Sequence, residues 1–144
     1  MTRLNAESQT AQGRSDVDKI ENQISAQIKE AAIEVHRVLG GPGLLESIYE
    51  EALFYELQLR GLRVQRQVYV PLKYKDQTLG APLRIDLLVE NKVVIEVKAT
   101  ETNHTLYNAQ VLTYLRLTNL KLGLVLNFGQ ELLINGLSRV VNNL

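Results

Sequence analysis

The stretch RIDLLVENKVVIEVK, residues 84–98, decides the fold of this chain. Two runs rich in β-branched residues flank a polar three-residue turn, which predicts a β-hairpin. Pairing of Val89 with Val93 sets Asp86 directly opposite Glu96. Because side chains alternate between the faces of a strand, one face of this hairpin is charged and the other is apolar. The predicted charged face holds Arg84, Asp86, Glu96 and Lys98, and the predicted apolar face holds Ile85, Leu87, Val89, Val93, Ile95 and Val97.

The facing carboxylates are the candidate chemical site. Like charges directly opposite each other destabilise a strand pair, so some other interaction must offset their repulsion. Carboxylate oxygens suit Mg²⁺ or Mn²⁺, and Lys98 projects to the same side, where it can stabilise developing negative charge. The alternative is a solvated ion-pair cluster in which Arg84 and Lys98 neutralise Asp86 and Glu96. The hairpin alone leaves both interpretations open.

Helices are predicted on both sides of the hairpin. Apolar residues recur with helical spacing from Ile20 to Leu39, and the Gly-Gly-Pro-Gly run at 40–43 ends that helix. A second helix is predicted over 44–60 and a third over 105–118. Strands are predicted at 63–70, 72–74, 84–89, 93–98, 122–126 and 132–134.

This order of elements predicts an α/β (equally α+β) domain with a mixed sheet flanked by helices. The domain is expected to span residues 19–144. Residues 1–18 are polar and are expected to form a flexible arm.

Two further sets of polar residues lie on the predicted helices. On a helical wheel Glu46 falls within the apolar arc of the second helix, whereas Glu50 and Glu51 point away. Glu56 also lies in that arc, so the wheel does not single out Glu46, and either can be a helix-edge glutamate paired with an arginine. Gln110 and Tyr114 are four residues apart on one face of the third helix. They can hold a metal-bound water or touch a phosphate, or they can form a polar flank.

Composition limits the compartment and the partners. The chain has no cysteine, which excludes disulfides and thiolate zinc sites and favours a reducing cytoplasm. No run of apolar residues is long enough to span a membrane. The net charge is zero, but residues 60–98 hold eight bases and four acids, a net +4 that fits either contact with a polyanion or a solvated basic surface.

With these residues placed, the chain resembles the GxxExxY protein family, a branch of the PD-(D/E)XK nuclease-like superfamily. The resemblance covers roughly residues 22–142. It is carried by Gly43, Glu46 and Tyr49, then by Arg84-x-Asp86-Leu87-Leu88-Val89, Glu96-Val97-Lys98, Ala109-Gln110-x-Leu112-x-Tyr114-Leu115 and Asn127-Phe128-Gly129.

The resemblance implies a restriction-endonuclease-like α-β-β-β-α-β core with its site at the centre of the sheet. It implies that Asp86 and Glu96 are metal ligands, that Lys98 is the catalytic lysine and that Glu46 is a first-helix acid near the metal, where it is expected as a further metal residue. Gln110 and Tyr114 match a glutamine-x₃-tyrosine motif found in part of the superfamily. Residues 106–108 lack the histidine and acid of many members, which affects the expected substrate contacts there.

The expected function is a Mg²⁺- or Mn²⁺-dependent phosphodiesterase, a nuclease acting on DNA or RNA. Lys98, Glu46, Gln110 and Tyr114 are the expected catalytic residues, and Arg84, Tyr49, Arg63 and Arg66 the expected substrate contacts. A homodimer or a protein partner is also expected, since one small domain offers little surface to grip a duplex. The rival from another class is a catalytically silent binding or assembly module, which the zero net charge favours.

Overall fold

The computed structural model describes residues 19–144, so the predicted flexible arm at 1–18 lies outside the described residues. Two helices come first and a third follows the hairpin. The helices are α1 (Ile20–Val38), α2 (Glu46–Leu59) and α3 (Thr105–Thr118). The strands are β1 (Val64–Val70), β2 (Lys73–Tyr74), β3 (Gln77–Thr78), β4 (Leu83–Val89), β5 (Val93–Lys98), β6 (Leu122–Asn127) and β7 (Leu137–Val141), with a short 3₁₀ helix at Leu133–Gly136.

A five-stranded mixed sheet forms the centre, in the order β1-β4-β5-β6-β7. The pairs are antiparallel except β5 and β6, which are parallel and are joined across the sheet by α3. The predicted hairpin register is confirmed, because Val89 pairs with Val93 and Leu88 pairs with Val94. The predicted α/β class with a mixed sheet flanked by helices is therefore confirmed.

Two apolar cores cover the two faces of the sheet. Helices α1 and α2 pack on one face, where Leu53, Leu87, Ile95 and Phe128 are fully buried. Helix α3 packs on the other face. Gly123 of β6 allows this close approach, since a Cβ there would lie 2.3 Å from Val111 Cγ1. The domain thus has three layers, helices on sheet on helix.

One irregularity breaks the pairing of β1 with β4. Arg66 pairs with Leu87 and Val68 pairs with Ile85, but the residues between these two pairs are not paired. Gln67, one of those residues, has a φ of +57°. A residue at positive φ interrupts the extended conformation of a strand. On the facing strand β4 the alternation of side chains also changes, and Ile85 packs in the α3 core and not with Leu87. The prediction that Ile85 shares one face with the other apolar hairpin residues is therefore wrong.

The chain end also differs from the prediction. The predicted strand at 132–134 is wrong, because Leu133–Gly136 form a 3₁₀ helix and the last strand is β7, further along. Gly136 lies against β6 so closely that a Cβ would be 2.1 Å from the carbonyl oxygen of Asn127. Leu133 is buried in the core. Packing against β6 therefore decides the conformation of this segment, and a local apolar run does not.

Helix α2 buries a different stripe from the predicted one. Glu50 is buried (5% exposed), although the wheel placed it away from the core. Leu45 precedes the helix and is 73% exposed. Glu46, the first residue of α2, is also exposed. The stripe is centred on Tyr49, Leu53 and Leu57, so the prediction that Glu46 lies within the buried arc is wrong.

None of the helices among residues 19–144 is long and apolar enough to cross a membrane.

Candidate active site

Asp86 and Glu96 form a buried carboxylate pair where the β4–β5 ladder ends. Each residue is 4% exposed. The last ladder pair is Leu87 with Ile95, and beyond it the Asp86 carboxylate accepts a 2.8 Å hydrogen bond from the backbone N–H of Val97. A side-chain oxygen thus takes the place of a strand carbonyl, which brings Asp86 between the strands and beside Glu96.

Burial controls the protonation of this pair. Desolvation, followed by the hydrogen bond and the charge of Asp86, raises the pKa of Glu96 from 4.5 to about 9. At neutral pH the Glu96 carboxyl therefore keeps its proton, which it can donate in a hydrogen bond to Asp86. The proton offsets the repulsion that the sequence predicts for two facing acids.

The ion-pair alternative does not match this geometry. Both acids are buried, whereas that alternative requires a solvated face. Arg84 Nη2 lies 3.8 Å from Asp86 Oδ1, too far for a hydrogen bond. Arg84 is therefore only a distant partner of Asp86, and the burial of both acids does not fit a solvated ion-pair cluster.

Lys98 and Glu46 border the carboxylate pair. Lys98 ends β5 two residues after Glu96, and its Nζ lies 4.6 Å from the ring centroid of Tyr107 in a cation–π contact. Partial burial raises the pKa of the Glu46 carboxyl, Lys98 lowers it and Asp86 raises it. These mutual effects place Glu46, at the start of α2, in the same electrostatic cluster as Lys98 and Asp86.

Helix α3 supplies two polar side chains. Burial, followed by the charges of Glu96 and Asp86 and a hydrogen bond with Glu96, raises the pKa of Tyr114 to about 12. The phenol therefore stays protonated and can donate to the carboxylate. Gln110, one turn earlier, has a buried Oε1 with no hydrogen-bond partner among the described residues. A buried acceptor of this kind is costly unless a ligand or water satisfies it.

Glu50 is a residue of this region that sequence reasoning missed. Its Oε2 lies 2.7 Å from Arg66 Nε and 3.5 Å from Gln67 Nε2. Both partners lie on β1 at the break opposite Asp86. Glu50 therefore ties α2 to the irregular part of β1. Glu50 directly follows Tyr49 and lies on the stripe of α2 that the core buries. That position is the sequence signal from which its burial could have been predicted.

Three of the predicted substrate contacts are engaged elsewhere. Tyr49 is fully buried, stacks on Phe128 at 4.7 Å and donates a 2.7 Å hydrogen bond to the carbonyl of Gly41, so it braces the glycine loop and does not face the site. Arg66 is held by Glu50. Arg63 pairs with Glu90 at 2.9 Å, at the opposite end of β4 from Arg84. Among the predicted contacts, Arg84 alone lies beside the carboxylate pair.

The loop after Lys98 is held by Asn127, which is fully buried. Its Oδ1 accepts hydrogen bonds of 3.0 Å from the backbone N–H groups of Thr100 and Gly129. Its Nδ2 donates to Asn103 Oδ1 at 2.8 Å and to Thr100 Oγ1 at 3.2 Å. The Asn127-Phe128-Gly129 motif therefore fixes the backbone that follows the candidate lysine.

The carboxylate pair fits the needs of a small divalent cation. Within residues 19–144 no three His, Cys, Asp or Glu side chains come close enough to hold a metal ion together. Mg²⁺ commonly uses one or two carboxylates and takes waters and substrate phosphate for its other positions, so two acids suffice. Asp86 and Glu96 provide them, and the proton of Glu96 would leave when a cation binds.

A mixed sheet between helical layers, with buried acids and a lysine at the end of a central strand pair, defines a nuclease-like α/β domain. The family model of the PD-(D/E)XK nuclease superfamily matches residues 22–140, and the chain belongs to that superfamily. No curated protein and no solved structure matches the chain. Membership of the GxxExxY branch remains a prediction.

The buried acid makes stability depend on pH. The pKa of Glu96 is raised in the folded state, so its contribution to stability is complete below the unfolded value of 4.5 and is lost as pH rises towards about 9. Glu96→Gln removes the ionisable group and therefore this loss of stability with rising pH. The side-chain amide of the glutamine can still donate a hydrogen bond to Asp86. At pH 8 in EDTA we expect the variant to be more stable by at least about 1.4 kcal/mol, the equivalent of one pKa unit.

Urea unfolding of both proteins between pH 5 and pH 8 measures this gap. Glu101→Gln, at an exposed acid on the loop after β5, is the matched control and should show no comparable gap. A difference in stability that does not grow with pH would contradict the raised pKa of Glu96.

Proposed function

We propose that this protein is a divalent-metal-dependent phosphodiesterase that cleaves nucleic acid. The observation that carries the proposal is the side-by-side burial of Asp86 and Glu96 in a chain of the PD-(D/E)XK nuclease superfamily. Asp86 and Glu96, with Glu46 nearby, would hold a Mg²⁺ or Mn²⁺ ion, which would supply an activated water and the polarisation of a phosphoryl oxygen.

The side chains around the pair have distinct proposed roles. Lys98 orients the attacking water or stabilises the negative charge that develops on the phosphate. The raised pKa of Glu46 suits it to accept a proton at the edge of the site. Tyr114 remains a proton donor and holds Glu96 in position.

Two further residues act on the substrate side. Gln110 offers its free buried carbonyl oxygen to a water or ligand hydrogen. Arg84, half-exposed beside Asp86, contacts a phosphate of the substrate. Tyr49, Arg63 and Arg66 are left out of this proposal because each has a partner in the fold.

The test combines metal binding with cleavage. Calorimetric titration with Mn²⁺ should show binding that releases close to one proton per site at neutral pH, measured in two buffers of different ionisation enthalpy. Purified protein should then cleave single-stranded, duplex or branched nucleic acid in Mg²⁺ or Mn²⁺ and not in EDTA. The control is Glu90→Gln, which removes an acid from the far end of the hairpin.

A second candidate is a binding or assembly module that keeps the fold without the reaction, alone or with a protein partner. This module is favoured because, among residues 19–144, no third acid joins the two carboxylates in a group that could hold a metal ion. Glu46 is not part of such a group. Absence of Mn²⁺ binding at millimolar concentration, together with no cleavage of any substrate, would support this module and overturn the phosphodiesterase.

A further inference from the structure

A small two-stranded ribbon projects from the sheet beside the candidate site. It consists of β2 and β3, in which Lys73 pairs with Thr78 and Tyr74 pairs with Gln77. A 2.8 Å hydrogen bond from the N–H of Leu79 to the carbonyl of Leu72 closes its base. All four paired residues are exposed.

The ribbon contributes little to the core. Within the described chain its substantial packing is between its own two strands. A two-stranded ribbon of this length is barely stable alone in water, so burial of its side chains is not the reason for its conformation. Its surface is therefore open to a partner on both faces.

The side chains of the ribbon suit a phosphate-rich partner. Tyr74 is 62% exposed, and Tyr69 at its base is 61% exposed. Lys75 Nζ lies 5.4 Å from the ring centroid of Tyr74, so cation and phenol form one contact surface. Residues 69–84 hold three bases and one acid, a net +2. Lysines and tyrosines are among the residues that bond to nucleic-acid phosphates.

The ribbon is also within reach of the candidate site. It continues β4, the strand that carries Asp86, through residues 79–82. Asp86 lies about 10 Å along β4 from Leu83, at 3.3 Å per residue. The tip at Lys75 is five residues beyond Val70, which adds at most about 17 Å. The tip of the ribbon is therefore at most about 27 Å from Asp86, which is less than the roughly 34 Å of one DNA turn. A duplex bound over Asp86 and running towards the ribbon reaches the ribbon within one turn.

We propose that this ribbon seats in the major groove of a DNA duplex, within one turn of the phosphate at Asp86, with Tyr74, Lys73 and Lys75 on the backbone. The proposal rests on the proposed nuclease function and identifies its substrate class. The major groove of B-form DNA admits a two-stranded ribbon. The major groove of A-form RNA is too deep and narrow for side chains to read, so DNA is favoured over duplex RNA.

Fluorescence anisotropy in EDTA tests the ribbon without cleavage. The probe is a fluorescein-labelled DNA duplex of about 30 base pairs, which leaves about one turn on each side of the site. Lys73→Ala with Lys75→Ala should reduce the slope of log K against log salt by about 2. Tyr74→Ala should weaken binding about fivefold, the effect of one lost hydrogen bond.

The matched controls lie on other surfaces. Tyr55→Ala removes a tyrosine of the same exposure, 62%, from α2, and Lys29→Ala with Lys121→Ala removes two exposed lysines. Neither control protein should show the reduced salt slope or the weakened DNA binding of the ribbon variants. Since the substituted side chains of the ribbon are exposed, its variants should keep the melting temperature of the wild type. Shortening the duplex to about half a turn on each side should remove the difference between wild type and the ribbon variants.

The outcomes separate the two proposals. Equal effects of ribbon and control variants, or tighter binding to single strands or duplex RNA than to duplex DNA, would overturn the ribbon proposal even if the enzyme cleaves DNA. Binding to duplex DNA that depends on the ribbon, in a protein that cleaves nothing in Mg²⁺ or Mn²⁺, would support the ribbon and overturn the nuclease.

Discussion

Asp86→Asn is expected to reduce metal-dependent cleavage about a thousandfold, equivalent to about 4 kcal/mol of transition-state stabilisation. The substitution removes one of two charges that would hold the cation. It keeps the shape of the side chain, and the amide oxygen can still accept the hydrogen bond from the N–H of Val97, now 2.8 Å from the carboxylate. The fold should therefore persist while Mn²⁺ affinity and cleavage fall together.

Single-turnover cleavage and Mn²⁺ calorimetry, with circular dichroism to verify the fold, measure these effects. Glu90→Gln is the matched control because Glu90 follows β4, pairs with Arg63 and lies outside the cluster around Asp86. It should leave the cleavage rate within about twofold of the wild type, as surface ion pairs contribute little. Cleavage by Asp86→Asn at the wild-type rate would remove Asp86 from the proposed site.

Gly129→Ala is expected to destabilise the protein by about 3 kcal/mol or more. A Cβ at this position would lie 2.2 Å from the carbonyl oxygen of Thr100 and 2.5 Å from its backbone nitrogen. Asn127 Oδ1 accepts hydrogen bonds from the backbone N–H groups of both Thr100 and Gly129, so these two segments cannot move apart without loss of those bonds. The clash and the broken network act on the same loop.

Differential scanning calorimetry should show a melting temperature about 10 °C lower for a domain of this size. Gly80→Asn is the control, since Gly80 has a φ of +49° and open space around it, and asparagine tolerates that conformation. It should change stability by less than about 1 kcal/mol. A Gly129→Ala protein as stable as the wild type would show that the loop after Lys98 is loosely held.

Local patterns predicted much of this molecule. The alternation of residues 84–98 gave the hairpin and its register, because strand pairing across a short turn depends on neighbours in sequence. Helical periodicity placed α3 at Thr105–Thr118, where the structure has it. The same alternation brought Asp86 and Glu96 together as the candidate site, and the structure places them side by side.

The errors came where distant segments meet. Glu50 is buried because β1 offers Arg66 and Gln67 to it, and no wheel of α2 alone contains that information. Tyr49 is turned inward by Phe128, which lies on a loop near the end of the chain. The last strand was misplaced because Gly136 and Leu133 pack on β6.

The sequence by itself determined the hairpin, the three helices and the acids that face each other, since these follow from periods of 2 and 3.6 residues. Only the tertiary structure decided that both acids are buried, that Glu96 keeps its proton and that Asp86 lies opposite the break in β1. The reason is physical: burial and the positive φ of Gln67 depend on contacts between β1, β4 and α2, which are far apart in sequence. A local pattern carries no information about the dielectric that those contacts create.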